Sequence, residues 1–96
     1  ESLIEDLWNP DFRVRYATVE RLKHTRDLKA VASLIGALWD TDQGLRYAVV
    51  EALGQNGDAG VVSPLARVVR EDSSAMVASA AELAIQQIMA RIQQRI

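Results

Sequence analysis

The sequence predicts an all-α fold, a short α-solenoid built from tandem helix pairs. Three observations predict it: a unit that recurs every 31 residues, an apolar period of three to four residues, and helix-start and helix-stop residues at the unit boundaries. Composition agrees. Ala, Val, Leu and Ile are plentiful and aromatics make up 5%, a bias toward close helix packing and away from aromatic, β-branched strands.

The repeat is the strongest signal. Leu7-Trp8 returns as Leu38-Trp39, a shift of 31 positions. The same gapless shift aligns Asp11 with Asp42, Arg15-Tyr16-Ala17 with Arg46-Tyr47-Ala48, and Val19-Glu20 with Val50-Glu51. It also aligns Leu22 with Leu53, Asp27 with Asp58, Val31 with Val62 and Leu34 with Leu65. A third copy is fainter, with Glu82 after Glu51 and Met76 in the place of Leu45. The divisions read from this register are 1–8 as the end of a preceding repeat, 9–39 as repeat 1, 40–70 as repeat 2, and 71–96 as a divergent repeat. The chain opens without Met inside a helical pattern, so it reads as a fragment of a longer protein.

Within each unit the apolar spacing is helical. Leu45, Ala48, Val49, Ala52 and Leu53 form one stripe, as do Val31, Leu34, Ile35 and Leu38, and again Val62, Leu65, Ala66 and Val69. Punctuation sets the bounds. Asn9-Pro10 reads as an N-cap followed by Pro in the first turn. Gly54 and Gly57 bracket a helix end, Asp58 caps the next helix, and Pro64 falls early in it, where a missing N–H costs little. The expected elements are a helix end at 1–8 and helices near 10–23, 28–39, 42–54, 60–70 and 74–95. The last has no Gly or Pro from Ser74 to Ile96, and Ile85, Ile88, Met89, Ile92 and Ile96 extend its apolar stripe. Its second half is expected to cap the stack, ahead of the alternative of self-association with a second chain.

Charge and composition exclude several classes of function. The chain has 96 residues, 49% of them hydrophobic and 25% charged, with net charge -2 and a pI near 5.3. Such a balance fits a folded domain rather than a disordered one. It carries no overall basic footprint for nucleic acid. No cysteine is present, so disulfides and thiolate metal sites are ruled out. No apolar run reaches the ~20 residues that span a bilayer, and no signal-peptide pattern opens the chain. A cytoplasmic location, no membrane and no cofactor are the resulting expectations.

Leu45-Arg46-Tyr47-Ala48-Val49-Val50-Glu51-Ala52-Leu53-Gly54, then Gly57-Asp58, then Val61-Val62-Ser63-Pro64-Leu65, resembles the HEAT-like repeat of the phycobilisome-lyase type. The first unit matches as Val14-Arg15-Tyr16-Ala17 and Leu22, with Lys23 in place of the Gly and Ser33 in place of the Pro. The resemblance implies a right-handed superhelix of antiparallel helix pairs, first helices on a convex face and second helices on a concave one. It also implies a ladder in which Arg15 and Arg46, six residues after Asn9 and Asp40, tie carboxylates to turn carbonyls. Asp42, four residues before Arg46, is a further expected partner. A structural role for this ladder outranks binding, and Val77 is expected to end it in the third unit.

The residues leave a partner surface as the main functional candidate. Trp8 and Trp39 end successive second helices, either as a binding edge or as a seal over the core. Lys29, Ser33, Ala37, Arg67, Arg70 and Glu71 lie on or beside second helices, which the resemblance places on the concave face. His24 is the sole histidine and is followed by Thr25. It reads as a solvated turn residue and not as a metal ligand. Residues 13–29 are locally basic, but phosphate binding needs cations converging on one face, so nucleic acid stands third. Ser73 and Ser74 follow Asp72 with no base and read as helix caps, and no catalytic residue emerges. The leading function is therefore a non-catalytic protein–protein interaction scaffold or adaptor. Its rival is part of a phycobilin lyase, or a phycobiliprotein-associated chaperone.

Overall fold

A computed structural model describes residues 4–94. Among them there is no strand. A 3₁₀ helix, Ile4–Trp8, leads into α1 (Phe12–Leu22), α2 (Leu28–Gly36), a second 3₁₀ helix (Ala37–Trp39), α3 (Gln43–Asn56), α4 (Ala59–Glu71) and α5 (Ala75–Gln94). The chain is an α-solenoid in which α1 and α2 both pack on α3, and α5, standing where the first helix of a third repeat would be, packs on α3 and α4. The thinnest Cα extent, 16 Å, is what two helix layers about 10 Å apart produce.

An acidic cap starts each of the first four helices. The carboxylates of Asp11, Asp27, Asp42 and Asp58 accept from the backbone N–H of Arg13, Lys29, Leu45 and Gly60 at 2.8, 2.8, 3.0 and 3.0 Å. Asp11, not Asn9, therefore caps α1, while Asn9 and Pro10 form the turn before it. Asp42 is likewise a cap and not the partner expected for Arg46. Ser74 takes the same place before α5, its hydroxyl accepting from Val77 N–H at 3.3 Å. Residues 4–8 form a 3₁₀ helix rather than the end of an α-helix. Pro64 lies inside α4, past the first turn, where it removes a donor to the Gly60 carbonyl.

The core runs through the interior of the stack, centred on α3. Leu45, Ala48, Val49, Ala52 and Leu53 are buried, and Val50 and Gly54 with them. In α4 the deepest residues are Val61, Leu65 and Val68: Leu65 belongs to the stripe read from the sequence, while Val61 and Val68 stand one position ahead of Val62 and Val69. Their repeat equivalents Ala30, Leu34 and Ala37 do the same beside α2. Gly54 does not end its helix, which runs on to Asn56 with Gly57 as C-cap. A Cβ at Gly54 would stand 3.0 Å from the Ala84 Cβ and 3.2 Å from its Cα. Glycine inside α3 thus lets α5 pass close, despite costing the helix about 1 kcal/mol relative to Ala.

The helix α5 is continuous, about 30 Å long at 1.5 Å per residue, and packs along both α3 and α4. Val77, Ala81, Ala84 and Ile88 face inward. Its second half lies against the end of α3 and the turn into α4. Arg91 donates to the carbonyls of Gly54 and Gly57, both at 2.7 Å, closing the end of α3 and the turn into α4. Ile92 packs against the core and Met89 faces out. Arg95 and Ile96 lie outside the described residues, as do residues 1–3 of the expected first helix end.

The third repeat is offset by one residue. Asn9, Asp40 and Asp72 each accept, through a side-chain oxygen, the N–H two positions on (Asp11, Asp42, Ser74) at 2.8, 2.9 and 2.9 Å. Asp72 follows Asp40 by one residue more than the repeat length. Consequently Val77, buried, takes the place of Leu45, and Met76, 60% exposed, does not. Ala78 stands at the arginine position that the sequence register gave to Val77. The physical reason lies in the preceding helix. The nine residues of α2 and the three of its 3₁₀ ending span the same ~20 Å as the 13 residues of α4, because a 3₁₀ helix rises ~2.0 Å per residue and an α-helix 1.5 Å.

Candidate partner-binding edge

The inter-repeat turns bring the candidate residues together. At the first, Arg15 Nε and Nη2 donate to Asp40 at 3.0 and 3.4 Å, while Nη1 donates to the carbonyls of Asn9 and Pro10 at 2.8 and 3.2 Å. At the second, Arg46 Nε and Nη2 donate to Asp72 at 2.9 and 3.1 Å, and Nη1 to the carbonyls of Asp40 and Thr41 at 3.0 and 3.3 Å. Each planar fork thus holds the turn before its own helix and the acid that follows the next pair. Asn9 contributes a carbonyl and a turn bond, not a carboxylate.

Asp72 is the deepest acid of the ladder, its side chain 2% exposed. Burial pushes its carboxyl up, but the Arg46 hydrogen bonds, the Ser74 N–H and the Arg46 charge outweigh this and hold it below the usual carboxylate range. The 31-residue register does not place Asp72 in the ladder. Its signal was present: Asp40-Thr41-Asp42 and Asp72-Ser73-Ser74 share the pattern acid, one residue, helix cap.

The two tryptophans flank this ladder. Trp8 is 57% and Trp39 43% exposed, so each is partly packed and partly presented. Each leans on the residue 28 positions later. A Cβ at Gly36 would meet Trp8 Cη2 at 3.2 Å, and the Arg67 guanidinium lies 4.9 Å from the Trp39 ring centre. Arg67 is held in turn by Glu71 at 3.0 Å. Between the indoles lies an open groove of about 290 Å³, whose lining includes Leu7, Trp8, Pro10, Gly36, Trp39 and Thr41.

The other candidates are scattered. Arg70 borders a separate depression of about 470 Å³ with Ala66, Val69, Glu82, Ile85 and Gln86. Lys29 is exposed in the first turn of α2 and Ser33 half-buried further along it, and neither lines the groove. His24 is exposed in the turn after α1. Within the basic stretch, Arg13 pairs with Asp11, Arg15 with Asp40, and Lys23 with Glu20 and Glu51.

Among the described residues no helix is long and apolar enough to cross a membrane. No curated protein matches the chain. The family model described as HEAT repeats matches residues 1–86. The twofold Arg–Asp ladder, the stacked helix pairs and that match together establish that this chain belongs to the HEAT-repeat family.

Proposed function

We propose that this chain is a non-catalytic scaffold that docks another protein on the Trp8–Trp39 edge. HEAT repeats generally serve protein–protein interaction. One observation carries the reading to this edge: two half-exposed indoles, one repeat apart, frame a groove lined in part by the ladder residues Arg15 and Asp40. Tryptophan presented on a fixed frame loses little entropy on binding and is enriched at energetic hot spots. Arg67, stacked on Trp39, supplies a charged side chain at one end of the groove, whereas Lys29, Ser33 and Arg70 lie apart from it.

The test is affinity capture from native extract, comparing the chain with its Trp8→Ala and Trp39→Ala variants, each verified as folded by far-ultraviolet circular dichroism. Proteins retained by the parent and released by both folded variants support the reading. Undiminished capture by both overturns it. Bilin absorbance appearing in the bound fraction would favour the lyase alternative, and nucleic acid there would favour backbone binding. For the latter the pairing of Arg13, Arg15 and Lys23 with acids of the chain itself speaks against such a surface.

A further inference from the structure

The two tryptophans occupy equivalent positions but have different company. Over Trp39 lies the chain's own guanidinium, from Arg67. The equivalent residue facing Trp8 is Gly36, which has no side chain to extend over the indole. Among the described residues no cation lies over Trp8, although it is the more exposed of the two. Its surroundings suit a positive charge. In the 3₁₀ helix Ile4–Trp8, side chains three apart eclipse one another, so exposed Glu5 shares an edge with Trp8. Asp6 adds a second acid to the same turn. The groove beside them is apolar at Leu7, Pro10, Gly36 and Trp39 and polar at Asn9, Thr41 and the Arg15–Asp40 ion pair, whose charges offset each other.

We infer that Trp8 receives an arginine side chain from a partner segment with apolar flanks, which fills at the first repeat the place Arg67 fills at the second. This deepens the scaffold reading and rests on it. Stacking on an indole face suits a guanidinium, which is planar and weakly hydrated. Glu5 supplies the attraction that Glu71 supplies to Arg67. The apolar flanks lie along the groove toward Trp39.

The experiment uses the whole chain and two peptides, Ac-Leu-Pro-Arg-Pro-Leu-amide and its counterpart with uncharged citrulline for arginine. The two indole N–H resonances, distinguished with Trp8→Phe and Trp39→Phe, report where each peptide binds. The arginine peptide moves the Trp8 signal, and the citrulline peptide binds about tenfold more weakly. Gly36→Arg supplies the cation internally and lowers arginine-peptide affinity by about the same factor. Its Cβ needs only a small shift of the surface indole. Glu5→Gln weakens binding by a smaller factor and keeps the test available should Gly36→Arg disturb the fold. Equal affinity for the two peptides, or no movement of the Trp8 signal, overturns the inference. The capture experiment decides the scaffold reading separately, since it uses native proteins and both tryptophans.

Discussion

The seams on either side of α3 differ at one repeat position. Where α1 meets α3 the position holds Lys23, whose ammonium lies 3.5 Å from Glu20 and 3.8 Å from Glu51. Where α3 meets α5 it holds Gly54, and the backbone of α5 passes within the space a Cβ would need. A lysine stem fills the first gap and a charge pair bridges it. The absence of a side chain closes the second. Thus α1 packs mainly on α3 and the short 3₁₀ helix, whereas α3 is flanked by α1, α2 and α5. Nearly identical sequences acquire different burial. Ala17 is exposed and Ala48 buried, and Tyr16 is more exposed than Tyr47. Position in the stack, not local sequence alone, decides what a repeated residue contributes.

The largest test of this asymmetry uses Leu53 and Leu22, equivalent in the repeat and both buried. Leu53→Ala destabilises by about 4 kcal/mol and Leu22→Ala by about 2 kcal/mol, since a cavity between rigid neighbours collapses less. Chemical denaturation measures both, and equal losses would break the comparison. Next comes the ladder. Asp72→Ala costs about 3 kcal/mol at neutral pH by leaving Arg46 without its buried acid. The pH dependence has a definite sign. A carboxyl held below its ordinary value when folded stabilises above pH ~4, and that stabilisation is lost as pH falls through the lower folded value. The Asp72→Ala variant therefore shows a shallower loss of stability than the parent as pH falls below about 4.

Exchanging the seam residues sharpens the comparison further. Gly54→Lys places the first seam's side chain against Ala84 and costs about 2 kcal/mol net, the strain being partly offset by better helix propensity. Lys23→Ala costs about 0.5 kcal/mol, because Glu20 and Glu51 are well exposed and their pairing is screened. If Lys23→Ala proved the more damaging of the two in thermal melts, the account of the seams would have the sides reversed.

Most of the architecture was legible because it is written twice. The register joining Leu7-Trp8 to Leu38-Trp39 gives the helix pairs, and the stripe from Leu45 to Leu53 gives the core face. What escaped depends on three dimensions. The slip of one residue before α5 arises from a 3₁₀ ending against an α ending, a difference of rise that residue spacing does not carry. Gly54 looks like a helix stop until α5 is seen beside it. Arg91 gives no local sign that its guanidinium reaches the carbonyls of Gly54 and Gly57, far back in the chain. At the candidate edge the tryptophans stood out by their repetition. The contrast between Gly36 and Arg67 appears only once each indole is seen to lean on the residue 28 positions later.

Native-state hydrogen exchange, resolved by residue, tests most directly whether flanking helices are what hold each helix in place. The interior amides of α3 should exchange only through global unfolding, while those of α1 should open locally at a free energy about 2 kcal/mol lower. Protection in α1 equal to that in α3, or an α3 that opens first, would contradict the account.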